Sequence, residues 1–124
     1  MRRSTFLRSL ALAGGLAPRW RVGAQSPEAL KLEQIRNDLY ILVGSGGNVA
    51  VLTTDEGVIL VDDKFERNVD EILSKVGKLT SKPIRYVLST HHHGDHTGGN
   101  PRLIATAEII AHENARAKFA ILAN

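Results

Sequence analysis

Short apolar runs separated by polar turns predict a series of β-strands in the first part of this chain. Runs dominated by apolar residues occupy Leu39–Val43, Val49–Thr53 and Val58–Val61, and each has the length of a typical strand. The glycine-rich segment 44–47 closes the first run, and the polar segment 54–57 between the other two predicts a hairpin. We therefore expect the chain to begin its fold with antiparallel strands.

Beyond Val61 the spacing of apolar residues changes from the period of a strand to that of a helix. Asp63, followed three residues later by Glu66, resembles a helix capping box. The helical period then continues through Phe65, Val69, Ile72, Leu73 and Val76. The segment 81–83 contains Pro83, which predicts the end of this helix.

The rest of the chain alternates between strand and helix patterns. Strands are predicted at Ile84–Ser89 and Ile109–Ala111, a weak helix at Leu103–Ala107, and a final helix at Glu113–Leu122. This alternation favours an α/β fold in which the sheet from Val58 onward is mainly parallel. Because such sheets bind ligands outside the carboxyl ends of their strands, we expect a functional site at that edge.

Polar residues directly follow three of the predicted strands. Asp62 and Asp63 follow one strand, Thr90 and His91 follow the next, and His112 follows the last. A lone histidine such as His112 is more often a half-buried hydrogen-bonding residue than a ligand. The residues after the first two strands are therefore the stronger candidates.

The other four of the five histidines lie within the segment 91–96. His91 and His93 are two positions apart, so their side chains project to the same side of an extended backbone. Asp95 and His96 follow a glycine, which permits a sharp turn. The spacing predicts that this loop presents two imidazoles to one metal ion, and a carboxylate with a third imidazole to another.

The intervening His92 is expected to point away from the metal and not to be a ligand. A solvated loop that is merely rich in histidine is the alternative, but imidazoles packed together without a metal gain little and repel one another when protonated. The chain contains no cysteine, which excludes disulfides, cysteine-ligated zinc and a thiol nucleophile.

Positive charge is concentrated at the start of the chain. The 124 residues carry a formal net charge of +3, but five arginines and no acidic residue fall within residues 1–24. The remaining residues comprise 11 basic and 13 acidic side chains, a net charge of −2, which removes the main support for a nucleic-acid partner. No apolar run approaches the roughly 18 residues of a membrane span.

Residues 1–24 contain the three regions of an export signal in order. A basic start precedes a short apolar stretch, and small residues then precede a cleavage site before Gln25. The pair Arg2-Arg3 ahead of Phe6 resembles a twin-arginine signal. We expect export, to the periplasm, with no membrane attachment after signal removal; a disordered basic tail is the alternative.

The histidine-rich segment also carries a family resemblance. Thr90–Asn100 is similar to the His-x-His-x-Asp-His signature of the metallo-β-lactamase superfamily. Upstream, Gly57–Asp62 resembles the first motif of that family, an aspartate at the end of a strand. Together with Gly47-Asn48, the resemblance covers roughly residues 37–115 and implies the N-terminal half of an αβ/βα sandwich.

The resemblance implies a role for each matching position. His91 and His93 would bind a first zinc ion, and Asp95 with His96 would bind a second. Asp62 would brace the metal loop as a hydrogen-bond acceptor, although a strand-end aspartate that caps a turn is an equally good interpretation. One or two zinc ions are therefore expected, with iron or manganese left open because these ligands also suit them.

The implied chemistry is hydrolysis of a small-molecule substrate. A metal-activated hydroxide would attack an amide, ester or thioester carbonyl, with a β-lactam among the candidates, and Asp95 would orient the water or move a proton. Gly98 and Gly99 would allow close backbone packing before the next helix. A truncated non-catalytic fragment and an iron-using redox member of the superfamily are the alternatives.

The family completes each metal site with ligands from the second half of its domain. Residues 25–124 supply two ligands for each metal, and His112 comes too early to match the later family histidine. We therefore expect residues 25–124 to form the first half of an incomplete domain, which needs a C-terminal half for activity.

Overall fold

The computed structural model describes residues 29–122, so the predicted export signal at 1–24 lies outside the described residues. The strands are β1 Lys31–Arg36, β2 Leu39–Val43, β3 Val49–Thr53, β4 Val58–Val61, β5 Ile84–Ser89 and β6 Glu108–Ala111. The helices are α1 Val69–Leu79, α2 Gly94–Thr97, α3 Asn100–Leu103 and α4 Glu113–Leu122, with a short 3₁₀ turn at Glu66–Asn68. None of these helices is both long and apolar enough to span a membrane.

All six strands form one mixed sheet in the order in which they occur in the sequence. β1 to β4 form an antiparallel meander, whereas β4, β5 and β6 run parallel to one another. The crossover between β4 and β5 contains α1, as the predicted strand–helix alternation requires. The expected α/β fold, with a parallel sheet after an antiparallel part, is confirmed.

The hydrophobic core lies between α1 and one face of the sheet. Val51, Leu60 and Val87, from three neighbouring strands, are completely buried, as is Ile72 on α1. Adjacent strand positions point to opposite faces, so the alternate residues form the second face. That face is also apolar but is partly exposed, as shown by Leu88, which is 37% exposed.

Three local features differ from the sequence expectation. β1 has no predicted counterpart, because its apolar pattern is interrupted where the register shifts between Gln34 and Arg36. The helix predicted from the capping box starts later, at Val69, because Asp63 makes a different contact. The weak helix predicted at Leu103–Ala107 is wrong in position: α3 ends at Leu103, and a turn precedes β6.

Candidate metal centre

The carboxyl ends of β4 and β5 bring the aspartate motif that ends at Asp62 and the histidine-rich motif of this chain side by side. Val61 and Leu88 are paired in the parallel ladder, and the backbone N–H of Asp62 donates to the carbonyl of Leu88 at 2.9 Å. The chain then leaves β5 through Thr90 into the histidine-rich loop of residues 90–99, which we call the metal loop. Parallel pairing therefore places Asp62 directly beside the start of that loop.

The imidazoles of this loop form one cluster. The ring centroid of His91 lies 4.0 Å from that of His96 and 4.9 Å from that of His93. Asp95 lies on the other side of His96, with its Oδ2 atom 3.4 Å from Nε2 of that ring. The four predicted ligands thus lie in one loop, but the group of converging ligand atoms found among residues 29–122 contains only His91 and His96 of the four, together with Asp62. The ring of His92 lies beside His93 with a centroid distance of 4.8 Å.

The side chain of Asp62 is buried beneath this cluster and uses both carboxylate oxygens. Oδ1 accepts the backbone N–H of Thr90 at 2.8 Å, and Oδ2 accepts the Thr90 hydroxyl at 2.8 Å. Oδ2 also lies 2.7 Å from Nδ1 of His96. The Thr90 hydroxyl is in turn 2.9 Å from Nδ1 of His91.

These contacts orient the two rings through their Nδ1 atoms. The carboxylate of Asp62 can only accept, so Nδ1 of His96 donates to it. The Thr90 hydroxyl gives its single proton to Asp62 and accepts from Nδ1 of His91. In the neutral form of each ring, which is the form that binds a metal ion, Nε2 is then the nitrogen with the lone pair.

The donor set fits a divalent metal ion. One ligand atom from each of Asp62, His91 and His96 lies within 4.8 Å of the other two. Imidazole nitrogens and carboxylate oxygens suit zinc, iron and manganese. Since both oxygens of Asp62 already accept hydrogen bonds, its geometry matches an acceptor that orients the ligands better than a ligand itself.

Three consecutive charged residues follow β4, and all three are buried. Asp62 is 4% exposed, whereas Asp63 and Lys64 are fully buried. Asp62 and Lys64 also have positive φ angles of 62° and 61°, and residues other than glycine rarely adopt this backbone conformation. Such a strained segment persists only where surrounding contacts hold it in place.

The second of these residues contacts the far end of the metal loop. Oδ1 of Asp63 accepts the backbone N–H of Gly99 at 2.9 Å, and the N–H of Asp63 donates to the carbonyl of His96 at 2.9 Å. The pKa of Asp63 is raised to about 7, chiefly by burial and to a lesser extent by the charge of Asp62, while the Gly99 hydrogen bond opposes the shift. The predicted capping role of Asp63 is therefore wrong, because its carboxyl anchors a loop instead of starting a helix.

The close backbone packing expected at Gly98 and Gly99 is present. A Cβ atom on Gly98 would lie 2.7 Å from the carbonyl oxygen of Gly94, and one on Gly99 would lie 2.8 Å from Cγ of Asp63. Real Cβ atoms essentially never approach so closely. Glycine at these two positions therefore lets the metal loop lie directly on the segment after β4.

Lys64 is the residue of this site that the sequence analysis missed. Its Nζ atom donates to the carbonyl of Gly47, in the glycine-rich turn between β2 and β3. A lysine next to two aspartates has the pattern of a solvated surface, which hides its burial. The available signal was its position directly after a buried strand, at the edge of the sheet where sites form.

His112 does not join the cluster through any hydrogen bond or ring contact found among residues 29–122. It lies at the start of α4, where its Nδ1 atom accepts the backbone N–H of Asn114 at 3.2 Å. Its carbonyl oxygen also accepts from Ala115 and Arg116. This histidine acts as a helix cap, which agrees with the interpretation of a lone histidine as a hydrogen-bonding residue and not a ligand.

Known proteins share both the sequence pattern and the fold. A family model described as "Metallo-beta-lactamase superfamily" matches residues 42–123. The lactamase-like protein adaB of Aspergillus niger is 33% identical over 90 residues, which cover 65% of this chain and 28% of that protein.

Solved structures of other proteins also resemble this chain. A B3 metallo-β-lactamase with an active-site glutamic acid is 31% identical with a TM-score of 0.62, and the match covers 68% of this chain and 33% of that one. A metallo-β-lactamase from Erythrobacter litoralis shares the fold with a TM-score of 0.64 at 21% identity, over 73% of this chain and 44% of that one. The chain thus spans between about a quarter and less than half of these relatives' lengths.

Proposed function

Since this chain belongs to the metallo-β-lactamase superfamily, we propose that it contributes the first half of the active site of a metal-dependent hydrolase. The superfamily binds metal ions, and its fold supports a metallo-hydrolase type of activity. In this proposal His91 and His93 hold one metal ion, and Asp95 with His96 holds a second. Further ligands come from the C-terminal half of the domain, outside residues 29–122.

One observation carries the proposal: the carboxylate of Asp62 orients two imidazoles at once. It accepts from Nδ1 of His96 directly, at 2.7 Å, and it reaches Nδ1 of His91 through the Thr90 hydroxyl. In the neutral form of both rings, Nε2 is then the nitrogen that can bind a metal ion. A solvated histidine-rich loop has no need of such a buried acceptor, whereas a metal site does.

When bound, a divalent metal ion acts as a Lewis acid and makes water nucleophilic near neutral pH. The residues of this chain provide the setting for that chemistry. Asp95 is partly exposed beside Nε2 of His96, so its free carboxylate oxygen is available to orient a water molecule or accept its proton. Asp62 fixes the orientation of both imidazoles through their Nδ1 atoms.

Zinc is the proposed metal, in one or two sites. Imidazole and carboxylate ligands suit zinc, and they also permit iron or manganese, which would favour a redox member of the superfamily. Metal analysis of the full-length protein by mass spectrometry separates these cases. Zinc at one or two equivalents supports the hydrolase, whereas stoichiometric iron together with an absence of hydrolysis would favour the redox alternative.

The proposed substrate is a small molecule with an amide, ester or thioester carbonyl, and a β-lactam is the first candidate. A solved structure that is 31% identical to this chain is described as a B3 metallo-β-lactamase. Export to the periplasm would also bring the enzyme to that substrate. The cleaved N-terminus tests export: the mature protein should begin at Gln25, and periplasmic protein that still begins at Met1 would contradict it.

The decisive experiment compares neighbouring histidines in the full-length protein. His91→Ala and His93→Ala should each lose at least about 100-fold in hydrolysis of a chromogenic cephalosporin, a thioester or a lactone, because each removes a metal ligand. His92→Ala is the matched control and should retain both metal and turnover. Unchanged turnover in the first two variants would contradict the assignment of His91 and His93 as metal ligands. Equal losses in all three variants would indicate a general effect on the loop.

A further inference from the structure

A buried lysine joins two segments that flank the metal centre. Lys64 is fully buried, and its backbone carbonyl accepts the N–H of Gly98 at 2.8 Å, beyond the last predicted ligand of the loop. Its side chain runs the other way, to the carbonyl of Gly47 in the turn between β2 and β3. Its Cε atom passes 3.9 Å from the place that a Cβ on Gly44 would occupy. One residue therefore connects the metal loop with the glycine-rich turn.

That turn lies directly against the imidazole of His96. A Cβ atom on Gly47 would lie 2.4 Å from Cε1 and 2.6 Å from Nε2 of the His96 ring. The backbone of Gly47 thus occupies the space on one side of the ring, while Asp62 holds its Nδ1 atom at 2.7 Å. The position of Gly47 consequently limits how far the ring can rotate about that hydrogen bond.

We propose that Lys64 is a positioning residue of the metal centre: its ammonium holds the Gly47 carbonyl, and the turn so held keeps the imidazole of His96 in its ligand orientation. The inference rests on the proposed function only in that His96 is a metal ligand. It concerns the geometry of the metal-free ring as well as metal affinity, so it does not depend on which substrate is hydrolysed.

Energetic reasoning supports this role over simple packing. Burying an ammonium group costs more free energy than burying an apolar side chain of the same length, so a lysine at this position needs compensating hydrogen bonds. Its charge-assisted bond to Gly47 is directional, unlike a packing contact. A methionine fills a similar volume but cannot donate a proton, so Lys64→Met removes the hydrogen bonding of the ammonium, including the bond to Gly47, and keeps most of the packing.

The test uses Lys64→Met, with Lys78→Met on the exposed side of α1 as the matched control. In the metal-free protein, ¹H–¹⁵N spectra of the histidine rings should show shifted His96 resonances for Lys64→Met and unchanged ones for the control. Affinity for Co²⁺, used as the spectroscopic probe, should fall about tenfold, the lower end of what partners beyond the ligands typically contribute.

Gly47→Ala reaches the same ring from the other side and leaves the lysine intact. It should shift the same His96 resonances, and the double variant should lose no more Co²⁺ affinity than the more severe single variant, because both act through one contact. Independent, additive losses would overturn the proposal. So would a folded Lys64→Met protein with wild-type ring spectra and Co²⁺ affinity, or unshifted His96 resonances in Gly47→Ala if Lys64→Met does not fold.

These readouts also separate the two proposals of this protein. A wild-type protein that binds Co²⁺ but hydrolyses none of the carbonyl substrates would contradict the proposed hydrolase and leave the role of Lys64 unaffected. If the wild-type protein is a hydrolase and Lys64→Met has unchanged ring spectra and Co²⁺ affinity, the role of Lys64 is contradicted and the proposed hydrolase stands.

Discussion

The antiparallel meander β1–β4 and the segment 62–64 that leaves it are held in place by different forces. In the meander, buried positions are apolar side chains such as Val49, Val51 and Leu60, each in contact with many neighbours. In the segment 62–64, the buried residues are two aspartates and a lysine, and each makes hydrogen bonds to specific partners.

The difference shows where stability and chemistry are separable in this molecule. Apolar burial is non-directional, so the meander tolerates small displacements of its side chains while it contributes to the free energy of unfolding. The contacts of the charged segment are directional and fix ring orientations in the metal loop. Changes in the meander should therefore lower stability without altering the site, whereas a change at Asp62 should mainly alter the site.

The largest expected effect is in the meander. Leu60→Ala should lower the free energy of unfolding by about 2–5 kcal/mol, because it leaves a cavity in a fully buried layer. Its folded fraction should keep wild-type affinity for Co²⁺. Leu73→Ala, at a position that is 42% exposed, is the control and should lose much less on chemical denaturation. A large loss of metal affinity in Leu60→Ala would erase the distinction between the two regions.

Asp63→Asn should reveal the cost of a buried charge. The pKa of this carboxyl is about 7 in the fold because burial raises it, against 3.8 in an unfolded chain. A raised pKa of an acid means that its contribution to stability is fully present below about pH 4 and is lost as the pH rises to 7. The variant should remove up to about 4 kcal/mol of this pH dependence from the free energy of unfolding.

Denaturation curves from pH 4 to pH 8 in the absence of metal measure that effect. The exposed Asp55→Asn variant serves as control and should follow the wild-type curve. If Asp63→Asn keeps the full decline in stability above pH 4, another group is responsible for it.

Asp62→Asn tests the charged segment itself. Affinity for Co²⁺ should fall about 10- to 100-fold, because an amide cannot accept from both Thr90 and His96 as the carboxylate does. The thermal unfolding of the metal-free protein should change less than that of Leu60→Ala. Wild-type affinity in Asp62→Asn would show that the ring orientation is set elsewhere.

The smallest effect is expected at an ion pair outside both regions. Nη2 of Arg102 lies 2.6 Å from Oδ1 of Asp70, and this hydrogen bond lowers the pKa of the Asp70 carboxyl. The pair is solvent-exposed, so Arg102→Ala should leave the unfolding midpoint and Co²⁺ affinity unchanged within error. The pKa of Asp70 should return towards its ordinary value, which carboxyl NMR signals can follow. A marked loss of stability would give this surface contact a role that its exposure argues against.

The difference between apolar burial in the meander and specific contacts in the segment 62–64 also explains which parts of the fold could be predicted from the sequence. The strands Leu39–Val43 and Ile84–Ser89 and the hairpin between them were predicted correctly, because their buried faces impose a simple apolar pattern. β1 was missed because a register shift and largely exposed residues obscure that pattern, as in Ile35, which is 60% exposed. Where tertiary contacts decide, as at the start of α1, local pattern is a poor guide.

The candidate site was only partly visible in the sequence. The four predicted ligands lie in one loop, so their proximity follows from spacing alone, although their roles stay a prediction. The buried Lys64 depends on contacts with residues 17 and 34 positions away, Gly47 and Gly98, which no local pattern encodes. Asp63 was misassigned for the same reason, since its partner Gly99 is 36 positions away.

The sequential order of the strands has a consequence for how the molecule folds. Each strand pairs with the strand next to it along the chain, and the antiparallel steps from β1 to β4 each close a short stretch of chain and cost little conformational entropy. The parallel steps to β5 and β6 close longer crossovers. The metal centre has the opposite character, because it needs Gly47, the segment 62–64 and the loop 90–99 together. Folding should therefore be fast in the sheet and finish at the metal loop, and the last kinetic phase of refolding should coincide with the recovery of metal binding.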